Sequence, residues 1–328
     1  MQALQARFAT FTDLFAQLKS EVGKAFIGQP DLVDHILICL FCRGHVLLEG
    51  LPGLGKTLLV KLLSNVLDLK FTRIQCTPDL MPADVIGTNM LIEDSRGIQR
   101  FEFQPGPLFG NIVLVDEINR TTPKTQSAFL EAMQEQKVTV LGKSHTLEEP
   151  FLLLATQNPI EMEGTYPLPE AQLDRFFFKL KVEYPSVDEL SRIIDLTTTG
   201  DTPEIRHISD GETLREMSAL VRKVKIAEDV KRYAVRITLA THPNSPEAIE
   251  EVKRYVNYGA SPRGAQSMVM AAKVKALAGG RYNVSYDDLR EIALPSLRHR
   301  ILLNFEGEVA KVTSDDVVGD ILKRIQPA

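Results

Sequence analysis

Residues Gly50-Leu51-Pro52-Gly53-Leu54-Gly55-Lys56-Thr57 constrain this chain more than any other stretch. They satisfy the phosphate-binding pattern G-x-x-x-x-G-K-[ST] without a mismatch. The preceding His45-Val46-Leu47-Leu48-Glu49 reads as a buried strand, and the following Leu58-Leu59-Val60-Lys61-Leu62-Leu63 reads as the first turns of a helix. Strand, glycine loop and helix are the order this chemistry needs. A helix N-terminus leaves backbone N–H groups unpaired and partly positive, so it holds phosphate. Glycines let the backbone curl around the phosphates at little steric cost. In this pattern Lys56 reaches the β and γ phosphates and the Thr57 hydroxyl ligates Mg²⁺. Leu51, Pro52, Gly53, Leu54, Gly55 and Leu58 complete the cradle.

The surrounding pattern predicts the sheet that carries such a loop. Apolar runs at Val46–Glu49, Ile112–Val115, Phe151–Thr156 and Phe176–Leu180, and a short strand-like run at Phe71–Cys76, alternate with helical segments. Strands that are apolar throughout are buried on both faces, as in a parallel sheet covered by helices on both sides. Such sheets bind ligands at the carboxyl ends of their strands. Two segments interrupt the alternation and read as hairpins. One spans Asn89–Phe103 with a turn at Glu93–Gly97, and the other spans Val138–Leu147 around Gly142-Lys143. After Pro185 the strand signal fades. Val187–Thr199, Glu212–Lys225, Asp229–His242, Arg263–Leu277 and Tyr286–Arg300 read as helices. The expected organisation is an α/β core over residues 1–185 with two inserted hairpins, about 89–103 and 138–147, followed by an all-helical lid over 186–328.

Composition narrows the partners. The net charge is −5 and the pI is about 5.8, which gives no global drive toward nucleic acid or an anionic membrane. No apolar run approaches the roughly 20 residues of a membrane span. Met1–Ser20 lacks the basic start, apolar centre and cleavage site of a signal peptide. The expected location is cytoplasmic. Cys39-Leu40-Phe41-Cys42 has C-x-x-C spacing, but it lies in an apolar helical stretch with only His45 nearby, so buried thiols are expected rather than a zinc site.

Four further segments carry candidate chemistry. Ile112-Val113-Leu114-Val115-Asp116-Glu117 ends an apolar strand in two acids, sixty residues beyond Lys56. Asp116 is placed to hold Mg²⁺ through its water shell, and Glu117 to orient and deprotonate an attacking water. Asn158, in Thr156-Gln157-Asn158-Pro159, either holds that water against the γ-phosphate or closes a strand-end turn. Arg175, in Leu173-Asp174-Arg175-Phe176, either forms a local ion pair or projects into a neighbouring subunit's site. Arg263, in Ser261-Pro262-Arg263-Gly264, opens a lid helix. It is either a surface arginine or a group the lid presses onto the γ-phosphate.

Together these residues resemble the AAA+ ATPases, and among them the MoxR family in the helix-2-insert branch. The resemblance runs from about Ile27 to the end of the chain. It rests on Gly50–Thr57 as Walker A and Val113–Glu117 as Walker B, then Glu117-Ile118-Asn119-Arg120, Pro123-Lys124-Thr125-Gln126 and Leu130-Glu131-Ala132-Met133. It continues through Ala155–Pro159 as sensor 1, Gly164–Phe176, and Asn257–Arg263 as sensor 2. It implies that Arg175 is an arginine finger and Arg263 the sensor 2 arginine. It also implies that Ile27 and Gly28 line the adenine, and that residues 89–103 are the helix-2 insert. Arg120 follows the Walker B segment, acting either within its own subunit or on a neighbour.

The resemblance implies ATP and Mg²⁺ as ligands and a ring homo-oligomer, a hexamer being expected, with ATP in the cleft between core and lid. It also implies a chaperone acting on a protein client, often one with a von Willebrand factor A domain. Two other readings compete. A nucleic-acid motor is disfavoured because the hairpins mix Arg96, Arg100, Lys137 and Lys143 with Glu93, Asp94, Glu102, Glu148 and Glu149 instead of forming a basic patch with stacking aromatics. A nucleotide-gated scaffold without turnover is disfavoured by intact Glu117 and Arg175.

Overall fold

The computed structural model describes residues 2–93, 99–159, 164–200 and 203–327. Helices α1 (Gln2–Val22) and α2 (Pro30–Phe41) lead into β1 (Val46–Glu49), the phosphate loop and α3 (Lys56–Val66). Then come β2 (Phe71–Gln75), α4 (Pro82–Ile86), the hairpin β3 (Gly87–Glu93) and β4 (Gln99–Pro105), and β5 (Ile112–Asp116). A 3₁₀ turn at Ile118–Arg120 precedes α5 (Pro123–Glu135), the hairpin β6 (Lys137–Val140) and β7 (Lys143–Thr146), β8 (Leu152–Gln157), α6 (Glu170–Leu173) and β9 (Phe178–Lys181). The remainder is α7 (Val187–Thr198), α8 (Gly211–Val221), α9 (Glu228–Ala240), α10 (Glu250–Tyr255), β10 (Val256–Tyr258), α11 (Pro262–Ala278), α12 (Tyr286–Leu297), β11 (Leu302–Leu303), α13 (Phe305–Val309) and α14 (Ser314–Arg324).

The expected parallel sheet is present, in the order β2-β5-β8-β1-β9. Its three central strands, β5, β8 and β1, read as apolar runs because alternate residues feed different cores. Val46 and Leu48 of β1, Ile112 and Leu114 of β5, and Leu152 and Leu154 of β8 enter one cluster. Leu47, Val113, Val115, Leu153 and Ala155 enter the other. The first cluster takes in α1, α2 and α3 and runs without a break into Leu214, Tyr233, Ile237, Met268, Leu289 and Val318 of the C-terminal helices. The second is closed by Phe129, Leu130 and Met133 of α5. Helix α1 packs on α11 as well as on α2 and α3, so the N-terminal helix is shared between sheet side and lid side.

Both hairpins form. Gly87 pairs with Pro105 and Glu93 with Gln99 in the first, and Lys137 pairs with Thr146 in the second. The expected turn of the first hairpin extends into residues 94–98, outside the described residues. The Phe103 ring stacks on His145, centroids 3.8 Å apart, which ties the two hairpins together. Met90, Leu91 and Phe101 stay exposed on the first hairpin and Leu141 on the second. The helical reading beyond Pro185 also missed elements. Helices α10, α13 and α14 and the β10–β11 pairing lie in stretches assigned no structure from sequence. Helix α14 had a legible start, since Thr313 and Asp316 form a reciprocal capping box. The two-strand pairing was not legible, because Val256 meets Leu303 across a long span of chain.

Candidate functional site

The loop after β1 places its glycines where the backbone demands them. Gly53 and Gly55 have φ of 83° and 77°, a left-handed region costly for other residues, and Gly55 is the N-cap of α3. The Phe26 ring lies against Gly55, so the Ile27-Gly28 segment is anchored beside the end of the loop. Gly28 has φ 81°, and the next residue, Gln29, donates to and accepts from the Glu183 backbone at 3.0 Å each. A cavity of about 410 Å³ opens over the loop, lined by Pro52, Gly53, Gly55, Lys56, Thr57 and Leu58 on one side. The opposite wall is Arg73, Gln75, Asp116, Glu117, Thr156 and Asn158. Leu51, Leu54, Ile27 and Gly28 do not line it.

Parallel register gathers the opposite wall. Gln75 at the end of β2 pairs with Asp116 at the end of β5, and Val115 pairs with Ala155, one residue before Thr156. Buried Thr156 donates from its hydroxyl to Asp116 Oδ1 at 2.6 Å and accepts the Glu117 N–H at 2.8 Å. It therefore fixes both acids. Glu117 itself has φ 59°, a strained conformation for a non-glycine residue that recurs at working sites. Arg73 Nη2 donates to Asp116 Oδ2 at 2.7 Å and to Gln75 Oε1 at 2.8 Å. Gln75 Nε2 in turn donates to Glu117 Oε2 at 3.0 Å, and Arg120 Nη1 donates to the same oxygen at 2.9 Å. Arg120 thus pairs with Glu117 of its own chain. Asn158, expected at this site, lies buried in the cavity wall.

Electrostatics follow from this wall. Lys56 donates to the Gly50 and Leu51 carbonyls. Partial burial lowers its pKa, opposed by the negative Asp116 and Glu117. Burial pushes the Cys76 thiol up to about 12, and the same two acids add to that shift. Cys39 is likewise buried with its pKa raised by desolvation, and no His/Cys/Asp/Glu cluster fit for a metal occurs among the described residues. Thr57 and Asp116 offer oxygen donors facing one cavity. That donor set fits a hard cation such as Mg²⁺, which takes one or two protein oxygens and fills its shell with water and phosphate.

Arg175 and Arg263 do not line this cavity. Arg175 lines a separate cavity of about 340 Å³ with Ser127, Leu130, Glu131, Gln134, Glu135 and Gln172. Its Nη1 donates to the Leu130 carbonyl at 3.2 Å, and its Nε is buried without an acceptor among the described residues. Arg263 pairs with Asp174 Oδ2 at 3.3 Å. Arg263 thus faces Asp174 in this structure and not the phosphate-loop cavity. The α11 N-terminus is drawn instead to the residue preceding Arg175. Ser261 caps α11 and also donates to Asp174 Oδ1 at 2.7 Å.

Sequence reasoning missed Arg300. It is buried, donates to Asp174 Oδ1 at 2.9 Å and to the Asp174, Phe176 and Phe177 carbonyls, and so ties the segment after α12 to the Arg175 segment. Burial lowers its pKa, opposed by Asp174. Arg73, Gln75 and Thr156 were also not singled out. Their signal was present only as polar residues within strands or near their ends, which becomes a site once strand order is known.

Comparison with known proteins places this geometry in a family. The profile described as "ATPase family associated with various cellular activities (AAA)" matches residues 45–178, and an AAA lid domain profile matches residues 249–321. Uncharacterized protein YeaC of Bacillus subtilis is 40% identical over 95% of this chain and 94% of its own length. Chaperone MoxR1 of Mycobacterium tuberculosis is 40% identical over 93% of this chain and 80% of its own length. A crystal structure from Cytophaga hutchinsonii, described as a candidate ATPase, superposes with a TM-score of 0.92 at 36% identity, covering 100% of this chain and 98% of that one. A parallel sheet with a complete phosphate loop, a helical lid and relatives of this similarity along nearly the whole chain lead to one conclusion: the chain belongs to the MoxR family of AAA+ ATPases.

Proposed function

We propose that this protein hydrolyses ATP with Mg²⁺ at the phosphate-loop cavity, as a ring-forming chaperone whose sites are completed by neighbouring subunits. One observation carries the reading: Lys56, Thr57, Asp116, Glu117 and Asn158 line one cavity, while Arg175 lies outside it with an unsatisfied guanidinium nitrogen. The α3 N-terminus, the loop glycines and Lys56 hold the phosphates. Leu51, Pro52, Leu54 and Leu58 shape the loop, and Ile27 and Gly28 line the adenine. Thr57 and Asp116 hold Mg²⁺, which neutralises charge on the β and γ oxygens. Glu117 orients and deprotonates the attacking water, and Asn158 holds that water against the γ-phosphate.

Arg175 acts in the neighbour's site, where an arginine stabilises transition-state charge. Arg263, linked to it through Asp174, accompanies it there. Arg120 acts within its own chain through Glu117. The working units are a core over 1–185 and a lid over 186–328, in a closed ring of six. The exposed Met90, Leu91, Phe101 and Leu141 of the coupled hairpins present the client-facing surface. The client is a protein of the von Willebrand factor A class, met in the cytoplasm. No helix among the described residues is long and apolar enough to cross a membrane.

The test is ATPase rate against protein concentration for wild type and Arg175→Ala. Specific activity rising with concentration, and lost in Arg175→Ala, supports a shared site. Flat activity with a normal Arg175→Ala rejects it. Glu117→Gln should bind ATP without turnover; unchanged turnover would remove Glu117 as the base.

A further inference from the structure

The Asp116 carboxylate has two oxygens in different circumstances. Oδ1 is committed to buried Thr156, whereas Oδ2 is held by Arg73, a side chain about half exposed at 47% on the edge strand β2. Arg73 and Gln75 stand two residues apart, on one face of that strand. A single guanidinium nitrogen of Arg73 serves both Asp116 Oδ2 and Gln75 Oε1, and the other end of the Gln75 amide serves Glu117 Oε2. The two acids are thereby joined by a chain of three hydrogen bonds that runs through Arg73.

We propose that Arg73 is a positioning residue, a cationic latch that competes with Mg²⁺ for Asp116 and, through Gln75, ties Glu117 until the metal displaces it. The proposal rests on Asp116 as the Mg²⁺ residue. A dication drawn to Asp116 takes up the charge that the guanidinium satisfies and repels it at short range. Arg73 then leaves Oδ2, Gln75 loses the donor at its Oε1, and the amide is no longer held against Glu117. Metal arrival thus loosens the Gln75 contact and leaves Glu117 Oε2 to Arg120. Thr156 keeps both acids in place throughout, because its bonds use Oδ1 and the Glu117 N–H.

The experiment is a Mg²⁺ titration of mant-ADP binding, followed by fluorescence, for wild type, Arg73→Met, Arg73→Lys and Asp116→Asn. Removing the latch should lower the Mg²⁺ midpoint about threefold to fivefold, the scale of a half-exposed ion pair. The mant-ADP affinity measured in EDTA should stay within about twofold, since exposed contacts of this kind contribute little. Arg73→Lys, which keeps the charge, should return the midpoint toward wild type. If Arg73→Met leaves the midpoint unchanged while Asp116→Asn abolishes the Mg²⁺ dependence, the latch is rejected and the metal site stands. If Arg73→Met weakens binding equally in EDTA and in Mg²⁺, Arg73 is a phosphate ligand and the latch is again rejected. If wild type and Asp116→Asn respond to Mg²⁺ alike, the metal reading of Asp116 fails first, and the latch with it.

Discussion

Asp116 and Asp174 are both carboxylates gripped by arginine, one facing the phosphate-loop cavity and the other joining the lid to the Arg175 segment. Arg73, the partner of Asp116, is 47% exposed, whereas Arg300, a partner of Asp174, is 2% exposed. The first pair can exchange partners with ligand at little cost. The second includes a guanidinium surrounded by protein carbonyls and serine, and losing its carboxylate leaves a buried charge uncompensated. Similar chemistry is thus a replaceable contact at one site and a fixed joint at the other. The fixed joint is the one that carries Arg175 and Arg263, the two arginines proposed to work on a neighbour.

The strongest way to break that contrast is a mixing experiment. Lys56→Ala and Arg175→Ala should each lower turnover about a thousandfold. Mixed in equal amounts they should recover measurable ATPase activity, because some interfaces then join an intact loop to an intact Arg175. No recovery, with both variants assembled, would put Arg175 in its own chain's chemistry. Next in size, Asp174→Ala should cost about 3–5 kcal/mol of stability by stranding Arg300. Asp116→Ala, leaving a half-exposed arginine and the Thr156 hydroxyl without its acceptor, should cost less, about 1–2 kcal/mol. Urea unfolding of the two variants compares them directly, and equal losses would erase the distinction.

Acid sharpens the comparison from the histidines. His45 accepts the Leu153 N–H at Nδ1 and donates from Nε2 to the Met133 carbonyl, and burial lowers its pKa to about 4. His299, beside Arg300, is also held well below its ordinary value, first by burial and then by the Arg300 charge. Folded pKa values below the unfolded one mean that stability is intact above about pH 6.5 and is lost as pH falls toward 4. For His45 this loss amounts to roughly 3 kcal/mol by pH 4. Denaturant midpoints measured from pH 7 to pH 4 should decline, and His299→Gln, which keeps a donor for the Phe176 carbonyl, should flatten the decline. A flat wild-type profile would contradict both burials. Thr156→Val removes the hydroxyl from both acids at about 1–2 kcal/mol of stability. Turnover should fall more than stability does, and a variant with normal ATPase rates would remove Thr156 as the support of that wall.

The phosphate-loop half of the site was legible because each part sits at the end of a strand whose apolar run is continuous in sequence. Val46–Glu49, Ile112–Asp116 and Leu152–Gln157 announce themselves, and ligands meet such strands at their carboxyl ends. Lys56, Thr57, Asp116 and Glu117 could therefore be chosen without coordinates, and Asn158 was legible as one of two alternatives. Arg73, Gln75 and Thr156 could not, because they matter only through the neighbour relation of β2 with β5 and of β5 with β8. The placement of Arg263 was legible only as two alternatives. Local sequence puts it at the first turn of a helix, and only packing brings that turn to Asp174.

By itself, then, the sequence determined the parallel sheet, the phosphate loop, its two acids and the two hairpins. Those features follow from local periodicity, from glycine backbone freedom and from motif spacing. Tertiary structure alone decided that Arg300, 126 positions along the chain, closes on Asp174, and that Arg73 shares an oxygen with a metal-binding candidate. The reason is physical. Backbone patterns repeat over a few residues and can be read one segment at a time. Desolvated ion pairs depend on which segments fold against each other, and hence on the summed burial of the whole chain.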